Sequence, residues 1–123
     1  MARLWLLLAA LAGFTGVALG AFAAHGLKGR LGADYLAVFQ TGSHYQLLHA
    51  LALFGVALLA LRAPGRLVNL TGGLFALGIL LFSGSLYGLA LSGVGALGLI
   101  TPFGGLAFLG GWLCLGLLAW RIT

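Results

Sequence analysis

Residues 67–120 read LVNLTGGLFALGILLFSGSLYGLALSGVGALGLITPFGGLAFLGGWLCLGLLAW, with no Asp, Glu, Lys, Arg or His anywhere among them. A helix needs about 20 apolar residues to cross a hydrocarbon core roughly 30 Å thick. The stretch is too long for one crossing and suits two. Ser92-Gly93-Val94-Gly95 is the obvious break, which gives one span at about Leu70–Leu91 and another at about Ile100–Trp120. Pro102 fits the first turn of the latter, where a missing N–H is harmless.

Working toward the N-terminus, Arg62-Ala63-Pro64-Gly65-Arg66 reads as a tight turn. Tyr35–Leu61 carries no Asp, Glu, Lys or Arg and exceeds one crossing, so a division is expected at Thr41-Gly42. It makes Ala33–Gln40 a short interfacial helix, with Asp34 favourably near its N-terminus, and Ser43–Leu61 a span. Leu4–Ala24 is a further span. Its start imitates a signal peptide, with Arg3, a leucine run and Ala21-Phe22-Ala23, but the apolar stretch is too long for a typical signal core and reads as a retained helix. The expected fold is all-α: a single domain of four transmembrane helices in a compact bundle, over about 4–24, 43–61, 70–91 and 100–120. In lipid, helices pair their backbone groups internally, as an open sheet cannot.

Composition agrees. Hydrophobic residues make up 63% of the 123-residue chain and charged residues 6%, against roughly 25% charged in soluble domains. The net charge of +5 comes from Arg3, Lys28, Arg30, Arg62, Arg66 and Arg121 against Asp34. These cations flank apolar spans and do not cluster as a nucleic-acid site would. Arg3, Arg62, Arg66 and Arg121 fall on one side, which predicts cytoplasmic termini. The lone Cys114 cannot form an internal disulfide and is expected to be a packing residue.

Because lipid tails are as apolar as leucine, helices in a bilayer associate through small residues. The 22 glycines supply ridges at Ala12, Gly16, Gly20 and Ala24, at Gly84, Gly88 and Ser92, and at Ala107 and Gly111. They serve packing within the chain or a homo-oligomer built through Gly-rich faces.

The chemistry on offer is sparse. No carboxylate lies in a span, and there is no HExxH, CxxC or phosphate loop, so no enzyme, cofactor or metal centre is expected. His44 and His49 are five apart, about 140° around a helix, and do not share a face. His49 lies more than a turn inside its span, where an ionisable side chain is a functional candidate; a neutral imidazole bonded to Tyr45 or to a serine of a neighbouring helix is the competing reading. Following the spans, His25, His44, His49, Ser83, Ser85, Tyr87 and Thr101 gather toward the outer leaflet. They either line a shallow ligand-binding pocket or form an internal hydrogen-bond network. Lys28 and Arg30 are candidates for lipid headgroup contact.

Gly20-Ala21-Phe22-Ala23-Ala24-His25-Gly26-Leu27 resembles the GAFGAHGL signature of the domain of unknown function 423 family (uncharacterised protein family 0382, with the transmembrane protein 256-like proteins of eukaryotes). Tyr45…His49-Ala50-Leu51, Phe82-Ser83-Gly84-Ser85-Leu86-Tyr87 and Ile100-Thr101-Pro102-Phe103-Gly104-Gly105 with Phe108 and Trp112 resemble it in the same order. The likeness runs from about Leu7 to Trp120, with Ala23 where the signature commonly has glycine. His44 and Gln46 occupy polar positions that the family exchanges. The resemblance implies four spans and a bacterial inner membrane; it implies no activity. Two functions follow as expectations: a non-enzymatic membrane protein that binds a lipid or small amphiphile or assists a membrane complex, or a small oligomeric transporter or channel.

Overall fold

Gly93 divides the long charge-free stretch. In the computed structural model, which describes residues 1–122, Gly93 takes φ +72° and its N–H bonds Leu89 O at 2.8 Å, closing a helix in the left-handed conformation that glycine adopts without steric cost. A short 3₁₀ turn, Gly95–Leu99, leads into the next helix, which carries Pro102 in its first turn. Pro64 and Gly65, the latter at φ +151°, make the reversal between the second and third spans.

The helices are α1 (Ala2–Phe22), α2 (Ala33–Arg62), α3 (Arg66–Gly78), α4 (Gly84–Ser92) and α5 (Thr101–Leu118). A wide turn at Ala23–Leu27 extends α1, and another at Ile79–Ser83 joins α3 to α4. There the Gly84 N–H bonds Ile79 O, five residues back, the mark of a π-bulge. Four helical spans result, each long and apolar enough to cross a membrane: Ala2–Leu27, Ala33–Arg62, Arg66–Ser92 and Gly95–Arg121.

The expected interfacial helix is not a separate element. Ala33–Gln40 is the first part of α2, which runs unbroken for 30 residues. Thr41 does not interrupt it, because its hydroxyl bonds back to Ala37 O at 2.9 Å. Gly42 does not interrupt it either: a Cβ there would lie 2.8 Å from the Tyr87 ring, so this glycine admits a neighbouring helix. At about 1.5 Å per residue, α2 is roughly 45 Å long and overhangs or tilts within a 30 Å core.

Span one lies along span two, span two against span three, and span three against span four. Glycines set the close approaches. Phe75 covers Gly111, where a Cβ would meet its ring at 2.6 Å, and Phe108 reciprocally covers Gly78. Gly104 faces the backbone of Phe82, and Gly72 lies beneath the Trp5 ring. Gly16 lies beneath Leu47. The ridge at Gly84, Gly88 and Ser92 does so only at Gly88, where a Cβ would lie 3.0 Å from the Leu97 side chain; Gly84 meets open space and Ser92 is exposed. The main core joins Trp5, Leu53, Val56, Phe75, Phe108 and Leu118; a smaller one near the opposite end joins Ala23, Leu27, Phe39 and Ala90.

Candidate functional site

Thr15 in Ala2–Leu27, Gln46 and His49 in Ala33–Arg62, and Phe108 in Gly95–Arg121 are among the residues close to the midpoints of their spans. Polar groups at that depth must find partners. Gln46, 4% exposed, does so through both ends of its amide. Its Nε2 donates to Ala12 O at 2.9 Å and to Thr15 Oγ1 at 2.7 Å, and its Oε1 accepts from the Tyr87 hydroxyl at 2.6 Å. Thr15 in turn donates to Leu11 O at 2.8 Å. One side chain therefore ties spans one, two and three together. Every amide and hydroxyl hydrogen of the trio is engaged, so what remains on Gln46 and Tyr87 is acceptor capacity.

His49 forms a second centre beside it. Its Nδ1 lies 2.8 Å from Tyr45 O, and its Nε2 lies 3.0 Å from Trp112 Nε1. A carbonyl only accepts and an indole N–H only donates, so the neutral imidazole with its proton on Nδ1 satisfies both contacts. The ring stacks on Phe108 at 3.6 Å between centroids, with Phe75, Tyr45 and Trp112 around it. The partner is thus the Tyr45 backbone and a tryptophan of span four.

The remaining candidates scatter. Ser85 and Thr101 share a 2.6 Å hydrogen bond between spans three and four. Ser83 is buried and its hydroxyl has no hydrogen-bond partner among the described residues. His25 is exposed and bonds only Ala21 O of its own helix, at 3.0 Å. His44 is exposed, edge-on to Tyr45. Lys28 and Arg30 are exposed in the turn between spans one and two. The fold brings Tyr87 to Gln46 and Ser85 to Thr101, while His25 and His44 stand apart. Depth in the span was the available signal for Gln46, Thr15 and Trp112; Trp5, whose Nε1 donates to Asn69 Oδ1 at 3.1 Å, had none beyond its residue type.

Spans one and three meet near Trp5 and leave a lateral groove of about 330 Å³ farther along. Leu8, Leu11 and Thr15 of span one line it, with Gln46 and Leu53 of span two and Ile79, Gly84 and Tyr87 of span three. Of the candidate residues, Tyr87 borders this space. Among the described residues no group of three or more His, Cys, Asp or Glu side chains is placed to hold a metal ion.

Residues 19–105 match a family described as "Protein of unknown function (DUF423)". The chain belongs to the DUF423 family. Relatives of this DUF423 protein include a "UPF0382 membrane protein" of Haemophilus influenzae, 51% identical over 71% of this chain and 69% of the relative. The "UPF0382 membrane protein YwdK" of Bacillus subtilis is 46% identical over 69% of this chain and 70% of its own. The "UPF0382 inner membrane protein YgdD" of Escherichia coli K12 is 45% identical over 69% of this chain and 65% of its own. No solved structure matches the chain. The DUF423 match includes Gln46, His49, Ser83, Ser85, Tyr87 and Thr101; Ala12, Thr15 and Trp112 lie outside it. The chain is an integral membrane protein of this family with four candidate spans.

Proposed function

We propose that this protein holds a small neutral amphiphile, a lipid or a molecule like one, in the groove between spans one and three, and performs no chemistry on it. The carrying observation is the groove itself: apolar walls on spans one and three, with Gln46 and Tyr87 between them. Since the donors of Gln46, Thr15 and Tyr87 are already engaged, with one another and with the carbonyls of Leu11 and Ala12, the polar lining can accept a hydrogen bond from a hydroxyl or amide headgroup. It has no cation to offer a carboxylate or phosphate. The setting is the cytoplasmic membrane, with both termini in the cytoplasm, a reading supported by the arginine bias and by the inner-membrane name of the E. coli relative.

The test uses protein extracted from native membranes in polymer discs, followed by mass spectrometry of the small molecules retained. Gly84 lines the groove, and a Cβ on it would meet nothing within 4 Å; Gly84→Phe therefore enters the groove from an open position. A neutral amphiphile enriched on the wild type and absent from Gly84→Phe is expected. Identical profiles from the two proteins would overturn the proposal.

A further inference from the structure

Arg62 ends α2 and is exposed. It also lines a second groove, of about 620 Å³, whose other walls are Ala52, Gly55, Leu58, Leu59 and Leu61 of span two and Leu115 of span four. Gly55 opens it, since a Cβ there would meet no atom within 4 Å. In a bilayer a lateral apolar groove is filled by hydrocarbon tails, which are as apolar as its walls. The rim decides which lipid stays. Arg3 and Arg66 lie at the starts of their spans and Arg121, like Arg62, at the end of its own, which puts all four at one end of the bundle. The one acidic side chain, Asp34, is in the first turn of α2, at the opposite end. No carboxylate side chain therefore competes for the Arg62 guanidinium, whose planar donors match a phosphate in a two-point contact.

We propose that this groove seats an anionic phospholipid, with an acyl chain between spans two and four and its phosphate against Arg62. The site is separate from the groove between spans one and three.

The protein is reconstituted in nanodiscs of phosphatidylcholine and phosphatidylglycerol in equal parts. Native mass spectrometry then reads the ratio of the two lipids retained on the ejected protein. The wild type should retain phosphatidylglycerol preferentially. Arg62→Gln should weaken that preference about fivefold, the equivalent of one basic side chain at an anionic surface. Gly55→Phe, which fills the groove, should abolish it, while Arg3→Gln, exposed at the same end but outside the groove, should leave it intact. Gly84→Phe should also leave it intact, so failure here and failure of the first groove are distinguishable. An equal loss with Arg3→Gln would assign the preference to diffuse charge and overturn the site, as would full retention in Gly55→Phe. If Gly55→Phe does not fold, the contrast between Arg62→Gln and Arg3→Gln decides alone.

Discussion

Replacing Gln46 with leucine keeps a side chain of similar bulk at the centre of α2 and removes three interhelical hydrogen bonds at once. Two run to span one, at Ala12 O and Thr15 Oγ1, and one to span three, from the Tyr87 hydroxyl. Interhelical hydrogen bonds in membrane proteins contribute about 0.6 kcal/mol on average and about 1.7 at most. Three average bonds amount to roughly 2 kcal/mol. Thr15 would keep its bond to Leu11 O, whereas the Tyr87 hydroxyl would lose the partner assigned to it. The expected result is a loss of about 2 kcal/mol in unfolding free energy, read by reversible denaturation in mixed micelles. A simple loss of packing could give a similar figure, so the diagnostic measurement is a pair of double-mutant cycles. Gln46→Leu combined with Tyr87→Phe, and Gln46→Leu combined with Thr15→Val, should each show a coupling near 0.6 kcal/mol. Additivity in both cycles would refute the claim that this amide holds three spans together.

Gly104→Ala should destabilise the protein by about 1–3 kcal/mol, because its methyl group would meet the backbone of Phe82 and force spans three and four apart; Gly84→Ala, which opens onto free space, should be neutral or slightly stabilising, and equal effects on the melting temperature would contradict this packing. On a Cys114→Ala background, Gly32→Cys should react with a membrane-impermeant maleimide from the outside of intact cells and Pro64→Cys only after permeabilisation; the reverse pattern would invert the proposed orientation. Pro64 suits this better than Gly65, whose φ of +151° disfavours a side chain.

The four spans were legible because lipid imposes simple rules on length and charge. The turns at Pro64-Gly65 and at Gly93 were legible because they need residues that cannot continue a helix. The division at Thr41-Gly42 was misread because glycine has a second use in lipid. In a soluble helix it is a weak point; here Gly42 admits the Tyr87 ring while α2 continues through it. The same ambiguity affects the small-residue ridges. Spacing of four marks Gly84 and Gly88 as readily as it marks Gly16, and only the packing shows that Gly16 is covered by Leu47 while Gly84 is not covered. For the candidate site, depth made His49 a functional candidate and the structure buries it, but its partner Trp112 is 63 positions away, beyond what helical periodicity can connect. Gln46 enters the sequence reading only as a position that the family exchanges; the structure places it close to the middle of a 30-residue helix.

The distribution of polar groups bears on the choice between lateral binding and transport. A conducting path needs polar groups free to exchange partners along the whole depth. Here they occur as separate layers: Trp5 with Asn69 near the arginine end, Gln46 and His49 at mid-depth, and Ser85 with Thr101 toward the other end. Between the first two layers the interior holds Leu53, Val56 and Phe75, each about 1% exposed or less. Interior groups bonded across helices rigidify a bundle, and a centre packed with Leu53, Val56 and Phe75 leaves the open space at the surfaces between helices. The open spaces match that expectation, since the two grooves face sideways between spans one and three and between spans two and four. In both proposals the protein recognises its ligands from within the bilayer. The acceptors at Gln46 and Tyr87 would select at mid-depth and the guanidinium of Arg62 at the rim, so two lipids of different charge could be held at once.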